Sequence, residues 1–380
     1  MTIAFSGLNN LAALQKGLPA DWPGGFWWHF IVFTSIVITA VLILVMAFIY
    51  VERRGLGRMQ SRLGPNRTGP FGLLQAVADA LKVLLKEDII PDSADKVVHW
   101  LAPIIAFAPV MMLFAVVPFG NGWSLIGDLN IGILYVTAIS SISTVGVFMA
   151  GWGSSNKYSL LGAMRNVAAV VSYEMPLVLA IAGVVLIAGS LSLHEIVQQQ
   201  DIPYILLQPL GFLIFFLAGC AEINRSPFDL LEADSELVAG FHTEYSGMKF
   251  AMFYLVEYAE ALALSAIITT LFLGGWNSWL GPPLPWLWFL VFLIKVFLVF
   301  FLMIWTRTTL PRVRIDQLMT FTWKFLLPLA IINLIVTAVQ ILAIPEGSIW
   351  LMIPINFAVT AILILIGSRF FTVGRGRVEV

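Results

Sequence analysis

Apolar residues come in runs of about 20, separated by polar breaks, near 27–50, 97–118, 131–150, 160–189, 203–221, 249–273, 286–305, 325–344 and 349–367. Each run is long enough to carry a helix across hydrocarbon. The strict alternation of apolar and polar positions that a barrel needs is absent from the sequence, so helices must satisfy the backbone within lipid. The pattern predicts an all-α fold, a polytopic transmembrane helix bundle of about nine spans forming one transmembrane domain over residues 1–380. Within it, 27–50 is the first span, 52–96 an inner loop, 97–221 spans two to five, 222–248 an acidic inner loop, 249–367 spans six to nine and 368–380 an inner tail.

After the first span the period changes. In ERRGLGRMQSRLGPNRTGPFGLLQAVADALKVLLKEDIIP (52–91), a basic turn punctuated by Gly and Pro leads into a helix expected from Phe71 to Glu87. Gln75, Asp79, Lys82 and Lys86 share one stripe of it, opposite Leu74, Val77, Ala78, Leu81, Leu84 and Leu85. Such an amphipathic helix lies along the membrane surface. Its charged stripe either faces water or borders a site. GPNRTGP requires two sharp turns, and Arg53 and Arg62 flank the point where the first span emerges. A rigid turn with two arginines beside an apolar groove suits the polar head of an amphiphile whose tail stays in lipid.

Composition agrees: 59% hydrophobic and 11% charged residues, with a mean hydropathy of +0.92, leave too little polar surface for a water-soluble globule of this length. The first basic residue is Lys16 and no small-residue cleavage site follows a short apolar core, so the first span is expected to stay in the mature protein. With the N-terminus outside, all 21 Lys and Arg fall in inner segments except Lys16, outside, and Arg165 and Lys295, within spans four and seven. That asymmetry sets the orientation, and nine spans then place the C-terminus inside. Cys220 is the single cysteine, so this chain alone builds no iron–sulfur cluster, disulfide or structural zinc site. His29, His99, His194 and His242 lie in separate segments without haem-ligand spacing, and no phosphate-binding glycine motif is present. Electron carriers are expected in partners, with no metal site and no nucleic acid for this chain.

Charges inside the spans are few. Span four carries Arg165 near its inner end and Glu174 deeper, span six carries Glu257 and Glu260 on nearly one face, and span seven carries Lys295. Ionisable groups at such depth mark ion pathways or proton relays; a structural ion pair, such as Lys295 with a glutamate, is the plainer reading. The stretch AEINRSPFDLLEADSELVAGFHTEY (221–245) then gathers Glu222, Asp229, Glu232, Asp234, Glu236 and Glu244 around the lone Arg225. On a helix, Asp229, Glu232 and Glu236 would share a face, where like charges oppose one another. Either these carboxyls titrate as a group and pass protons when a nearby charge changes, or they dock onto a basic partner.

The segments ERRGLGRMQSRLGPNRTGPFGLLQAVADALKVLLKE, GWGSSNKYSLLGAMRNVAAVVSYE (151–174), AEINRSPFDLLEADSELVAGFHTEYSGMKFAMFYLVEYAE (221–260) and RTTLPRVRIDQLM (307–319) occur in that order. Together they resemble a family, the H-type membrane subunit (subunit 1) of bacterial proton-pumping NADH:quinone oxidoreductase, respiratory complex I, over roughly residues 27–345. The resemblance implies a cofactor-free component of a translocase in the bacterial plasma (inner) membrane, where the hydrophilic arm meets the membrane arm. It implies a quinone passage lined by Arg53, Arg62 and Asp79, with Phe250 and Phe253 nearby, and an acidic coupling route through Glu174, Glu222, Asp229, Glu232, Asp234, Glu236 and Glu257. Ubiquinone or menaquinone would be the substrate. NADH, FMN and iron–sulfur clusters would belong to partners: hydrophilic-arm iron–sulfur subunits, small membrane subunits and antiporter-like subunits.

Two positions depart from the family pattern, Ala169 where glutamine is usual and Asp234 where glutamate is usual, and the tail GRGRVEV (374–380) suits bacterial members. Two other readings stand beside this one. The first is the corresponding subunit of a membrane-bound hydrogenase or related dehydrogenase. The second is a stand-alone ion or proton transporter, although the inverted repeat common in transporters is not visible in the sequence.

Overall fold

A computed structural model describes residues 25–120, 128–229, 239–277, 287–343 and 350–370, without the side chains of 25–30, 33 and 366–370. The first apolar run forms helix α1 (Gly25–Met59). It continues well past the expected end at 50, because nothing in ERRGLGRM stops a helix until Ser61 takes a left-handed φ of 55°. Glu52, Arg53, Arg54 and Arg58 therefore stand on a helix and not in a turn, which corrects the sequence expectation. The amphipathic helix α2 (Gln75–Leu84) is shorter than the predicted 71–87. Phe71 (φ 58°) and Gly72 (φ 78°) occupy the left-handed region just before it, and a Cβ on Gly72 would collide with the Pro65 carbonyl.

Helix α3 (Lys96–Leu113) is N-capped by Asp95, whose carboxylate accepts from the Val97 N–H at 3.1 Å. It packs against α4 (Gly132–Gly153) so closely that a Cβ on Gly146 would lie 2.5 Å from the Ala106 backbone nitrogen. Small residues at such a seam let membrane helices gain dispersion contact where lipid removes the hydrophobic drive. Helix α5 (Lys157–Ala188) begins on Asn156 and ends on Gly189 in the left-handed conformation.

Short helices α6 (Leu193–Gln199) and α7 (Tyr204–Leu207) lead to α8 (Pro209–Glu222). The fifth predicted run is thus broken at Gln208, whose side-chain amide donates to the Gly183 carbonyl at 3.1 Å and the Thr337 hydroxyl at 2.9 Å. Next come α9 (Gly247–Phe272), α10 (Trp288–Thr309) and α11 (Ile315–Phe321). A π-helical turn at Thr322–Leu326 joins α11 to α12 (Leu327–Ala343), and α13 (Met352–Phe370) closes the described chain.

Seven of these helical segments are long and apolar enough to cross a membrane, and the shorter apolar stretches Pro209–Glu222 and Met352–Leu365 fall at the fifth and ninth predicted runs. The described residues contain no β-strand. Helix α9 is the spine: 67% of its membrane window is buried against 17% for α1, and it packs on α1, α2, α3, α8 and α10.

At the end of α9 opposite the arginines, Lys295 of α10 donates to the carbonyls of Leu273 at 2.7 Å, Gly275 at 3.0 Å and Asn277. Leu273 is the C-cap residue of α9, and Gly275 and Asn277 lie in the segment just after it, so the cation ties down the chain where a buried helix ends. Gln200 supplements it by donating to the carbonyls of Thr270 and Leu271. Lys295→Met should cost roughly 1–3 kcal/mol, since the buried acceptors lose their donor. Thermal unfolding of the purified assembly should shift to lower temperature, and an unchanged transition would refute the capping role.

Candidate functional site

Val41, Val45, Phe48 and Glu52 follow one another at helical spacing on α1, and all are buried, Glu52 with only 1% of its surface exposed. The apolar stripe thus delivers a carboxylate into the bundle. Arg225, just past α8, donates to Glu52 Oε1 at 2.6 Å, and Arg307 in the last turn of α10 reaches the same oxygen. Arg225 is itself buried, with its backbone N–H anchored on the Cys220 carbonyl at 3.0 Å. Burial works to lower the pKa of its guanidinium, and the Glu52 carboxylate together with Tyr258 and Glu257 more than offsets this, holding it above the ordinary value. The guanidinium carbon lies 4.2 Å from the ring centre of Tyr258 on α9.

One residue further along α1, about 100° round the helix, Arg53 pairs with Asp79 of α2. Asp79 also accepts from the Gln75 amide at 3.0 Å, and the Thr68 hydroxyl bonds Gln75 Oε1 at 2.6 Å, which ties the GPNRTGP turn to the pair. Tyr254 of α9 sits beside Arg53, and its hydroxyl is 3.1 Å from that of Tyr258. A polar string therefore runs Asp79, Arg53, Tyr254, Tyr258, Arg225, Glu52, Arg307. Glu257 is close enough to add to the field on Arg225.

On the far side of α9, a cavity of about 50 Å³ is lined by Glu222 of α8, Glu260 of α9 and Ser140 and Ser143 of α4. Glu222 lies within electrostatic reach of both Glu174 and Glu260, and the Ser141 hydroxyl donates to Glu174. The rest of the cavity lining is mostly apolar, but Glu222, Glu260, Ser140 and Ser143 share a space large enough for water. Glu174, Glu222 and Glu260 thus form a second cluster.

Of the other residues singled out in the sequence, Arg62 is exposed on the turn, its backbone N–H bonded to the Gly57 carbonyl at 2.8 Å. Phe250 is 38% exposed and meets the His242 ring edge to face at 5.3 Å, whereas Phe253 is buried against Phe241 and Tyr245. Asp229 is buried and bonds Arg312 at 3.0 Å. Glu232, Asp234 and Glu236 lie outside the described residues.

Sequence reasoning passed over Glu52, Tyr254 and Tyr258 and left Glu260 without a role. For Glu52 the signal was there: the 4, 3, 4 spacing from Val41 through Val45 and Phe48 to Glu52 points it inward.

Fold and site together define a multi-pass helical membrane protein that carries two clusters of ionisable groups joined along one helix. The sequence profile of NADH dehydrogenase matches residues 32–338. The chain is 60% identical over 355 residues to the H subunit of NADH-quinone oxidoreductase from Dehalococcoides mccartyi strain CBDB1, covering 93% of this chain and 99% of that one. It is 52% identical over 321 residues to the protein of the same name from Bacillus mycoides strain KBAB4, covering 82% and 95%. The chain belongs to the NADH dehydrogenase family, among the H-type subunits of NADH-quinone oxidoreductase.

Arg225→Leu should abolish accumulation of the folded protein in membranes, because breaking a buried pair costs about 3–5 kcal/mol. Quantitative blotting of membranes reads this directly, and wild-type levels would mean that Glu52 is not held as described. A second expectation concerns His242, packed against Phe241 and Phe250, where burial pushes the imidazole down to about 4. The unfolded chain takes up that proton near pH 6.5, so the neutral ring's contribution is complete above pH 6.5 and lost as pH falls from there toward 4. His242→Phe should flatten that portion of the stability-against-pH curve, and an unaltered slope would rule the effect out.

Proposed function

We propose that this chain is the quinone-binding, proton-coupling membrane subunit of an NADH:quinone oxidoreductase, working in the bacterial plasma membrane with its N-terminus outside and its C-terminus in the cytoplasm. The observation that carries the reading is the continuous polar string from the Arg53–Asp79 pair through Tyr254 and Tyr258 to Arg225 and Glu52. The names of the relatives support the same activity.

In this reading the quinone head rests at the Arg53–Asp79 pair beside α2, with Arg62, Phe250 and Phe253 along the passage. An iron–sulfur partner in the hydrophilic arm supplies two electrons, and two protons complete the conversion of quinone to quinol. Negative charge building on the quinone oxygen competes with Asp79 for Arg53. The change in field passes along the tyrosine pair to Arg225 and Glu257. From there α9 presents it to Glu260, Glu222 and Glu174, with Asp229, Glu232, Asp234 and Glu236 on the same acidic route toward the antiporter-like subunits. Coupled carboxyls at one site titrate together, so a charge at one end moves a proton at the other.

Replacing Asp79 with Asn in the assembled enzyme should slow quinone-dependent NADH oxidation by about ten- to a hundredfold, the value of a charged hydrogen bond. NADH oxidation by an artificial acceptor in the hydrophilic arm should be unchanged. Glu260→Gln should leave quinone binding in place and reduce proton uptake into inverted vesicles. Full quinone turnover in Asp79→Asn would exclude the site, and full proton translocation in Glu260→Gln would exclude the relay.

A further inference from the structure

Arg53 and Arg54 are neighbours in sequence and face different surroundings. While Arg53 turns to Asp79 and α9, Arg54, about 100° further round α1, lines an open groove of about 710 Å³ between α1 and α10. Tyr50, Arg54 and Arg58 line it at steps of four residues along α1, and Phe297, Phe301 and Ile304 line it at steps of four and three along α10. Both sets are one face of a helix. The apolar α10 stripe extends into the membrane span, and the two arginines stand at the groove's polar end, where α1 leaves the span.

The polar end is held in place. Arg54 bonds the Tyr50 hydroxyl and donates to the Phe71 carbonyl at 3.2 Å, which also accepts from the Tyr50 hydroxyl at 3.0 Å. Its guanidinium carbon lies 5.6 Å from the Phe71 ring centre and 5.8 Å from that of Tyr50. Phe71 adopts φ 58° in this arrangement, an unusual conformation for an aromatic residue. The Arg58 side chain is exposed. Among the described residues neither Arg54 nor Arg58 has a carboxylate partner.

We propose that this groove binds one anionic phospholipid, its phosphate on Arg54 and Arg58 and an acyl chain along Phe297 and Phe301. Two adjacent guanidiniums favour a phosphate through charge and paired donors. Basic pockets between spans are suited to anionic head groups, and an apolar groove of this volume matches a chain-sized ligand. The groove shares no lining residue with the proposed quinone passage.

The test is labelling of the intact enzyme, reconstituted in phosphatidylcholine vesicles doped with photoactivatable phosphatidylglycerol, with crosslinks mapped by peptide mass spectrometry. Label is expected on residues 297–304, about fivefold weaker for each arginine lost in Arg54→Gln and Arg58→Gln. Photoactivatable phosphatidylcholine should give far less, and millimolar inorganic phosphate should not compete. Arg58→Gln decides the matter if Arg54→Gln loosens the Phe71 turn. The proposal is overturned by equal labelling with both lipids, by undiminished labelling in Arg58→Gln, by competition from free phosphate, or by no label because a partner protein covers the groove.

Discussion

A carboxylate taken from water into a helix bundle costs several kilocalories per mole unless opposite charges meet it there, and Glu52 is buried almost completely. Its two guanidiniums come from segments far apart in the chain, Arg225 after α8 and Arg307 at the end of α10. One carboxylate therefore fixes the relative positions of three elements at the arginine-rich end of the bundle. Because Arg225 is held, the ring of Tyr258 beneath it is held, and with it the face of α9 that carries Tyr254 and Glu257. Low dielectric makes the arrangement rigid: an unpaired member would be expensive, so the members move together or not at all.

Helix α9 turns this local constraint into a long-range one. It is the most enclosed of the spans, and a buried helix resists bending far more than one facing lipid on most sides. Its far end is capped by Lys295 and Gln200. Its near half touches the Arg53–Asp79 neighbourhood through Tyr254, and its middle touches the carboxyl cavity through Glu260. In the proposed function, a change of charge beside Asp79 reaches Glu222 through a few side chains on one rigid scaffold.

Much of this was legible in the sequence, and the exceptions have physical causes. The long apolar runs were plain because hydrocarbon thickness dictates their length. The break at Gln208 is marked by Pro209, the next residue, but the apolar run on either side hid it, and the buried amide there bonds a carbonyl of one segment and a hydroxyl of another. Glu52 was obscured by the adjoining arginines, which resemble a polar loop, although its spacing from Phe48 placed it on the buried face. Lys295 invited thought of a carboxylate, and its bonds to backbone carbonyls at and just past the end of α9 were not foreseen, since carbonyls leave no trace in a sequence. Tyr254 and Tyr258 were overlooked since tyrosine in a span usually marks the membrane surface. The pairing of Arg53 with Asp79 joins two residues that the family resemblance had already placed in one passage.

The proposed coupling rests on the physical connection between the Arg53–Asp79 pair and the carboxyl cavity on the other side of α9. Redox-induced infrared difference spectroscopy of the intact enzyme tests it most directly, comparing wild type with Glu222→Gln. Coupling predicts a carboxyl band that changes when quinone is reduced in the wild type and is missing in the variant. An identical carboxyl signal in the two proteins would contradict it.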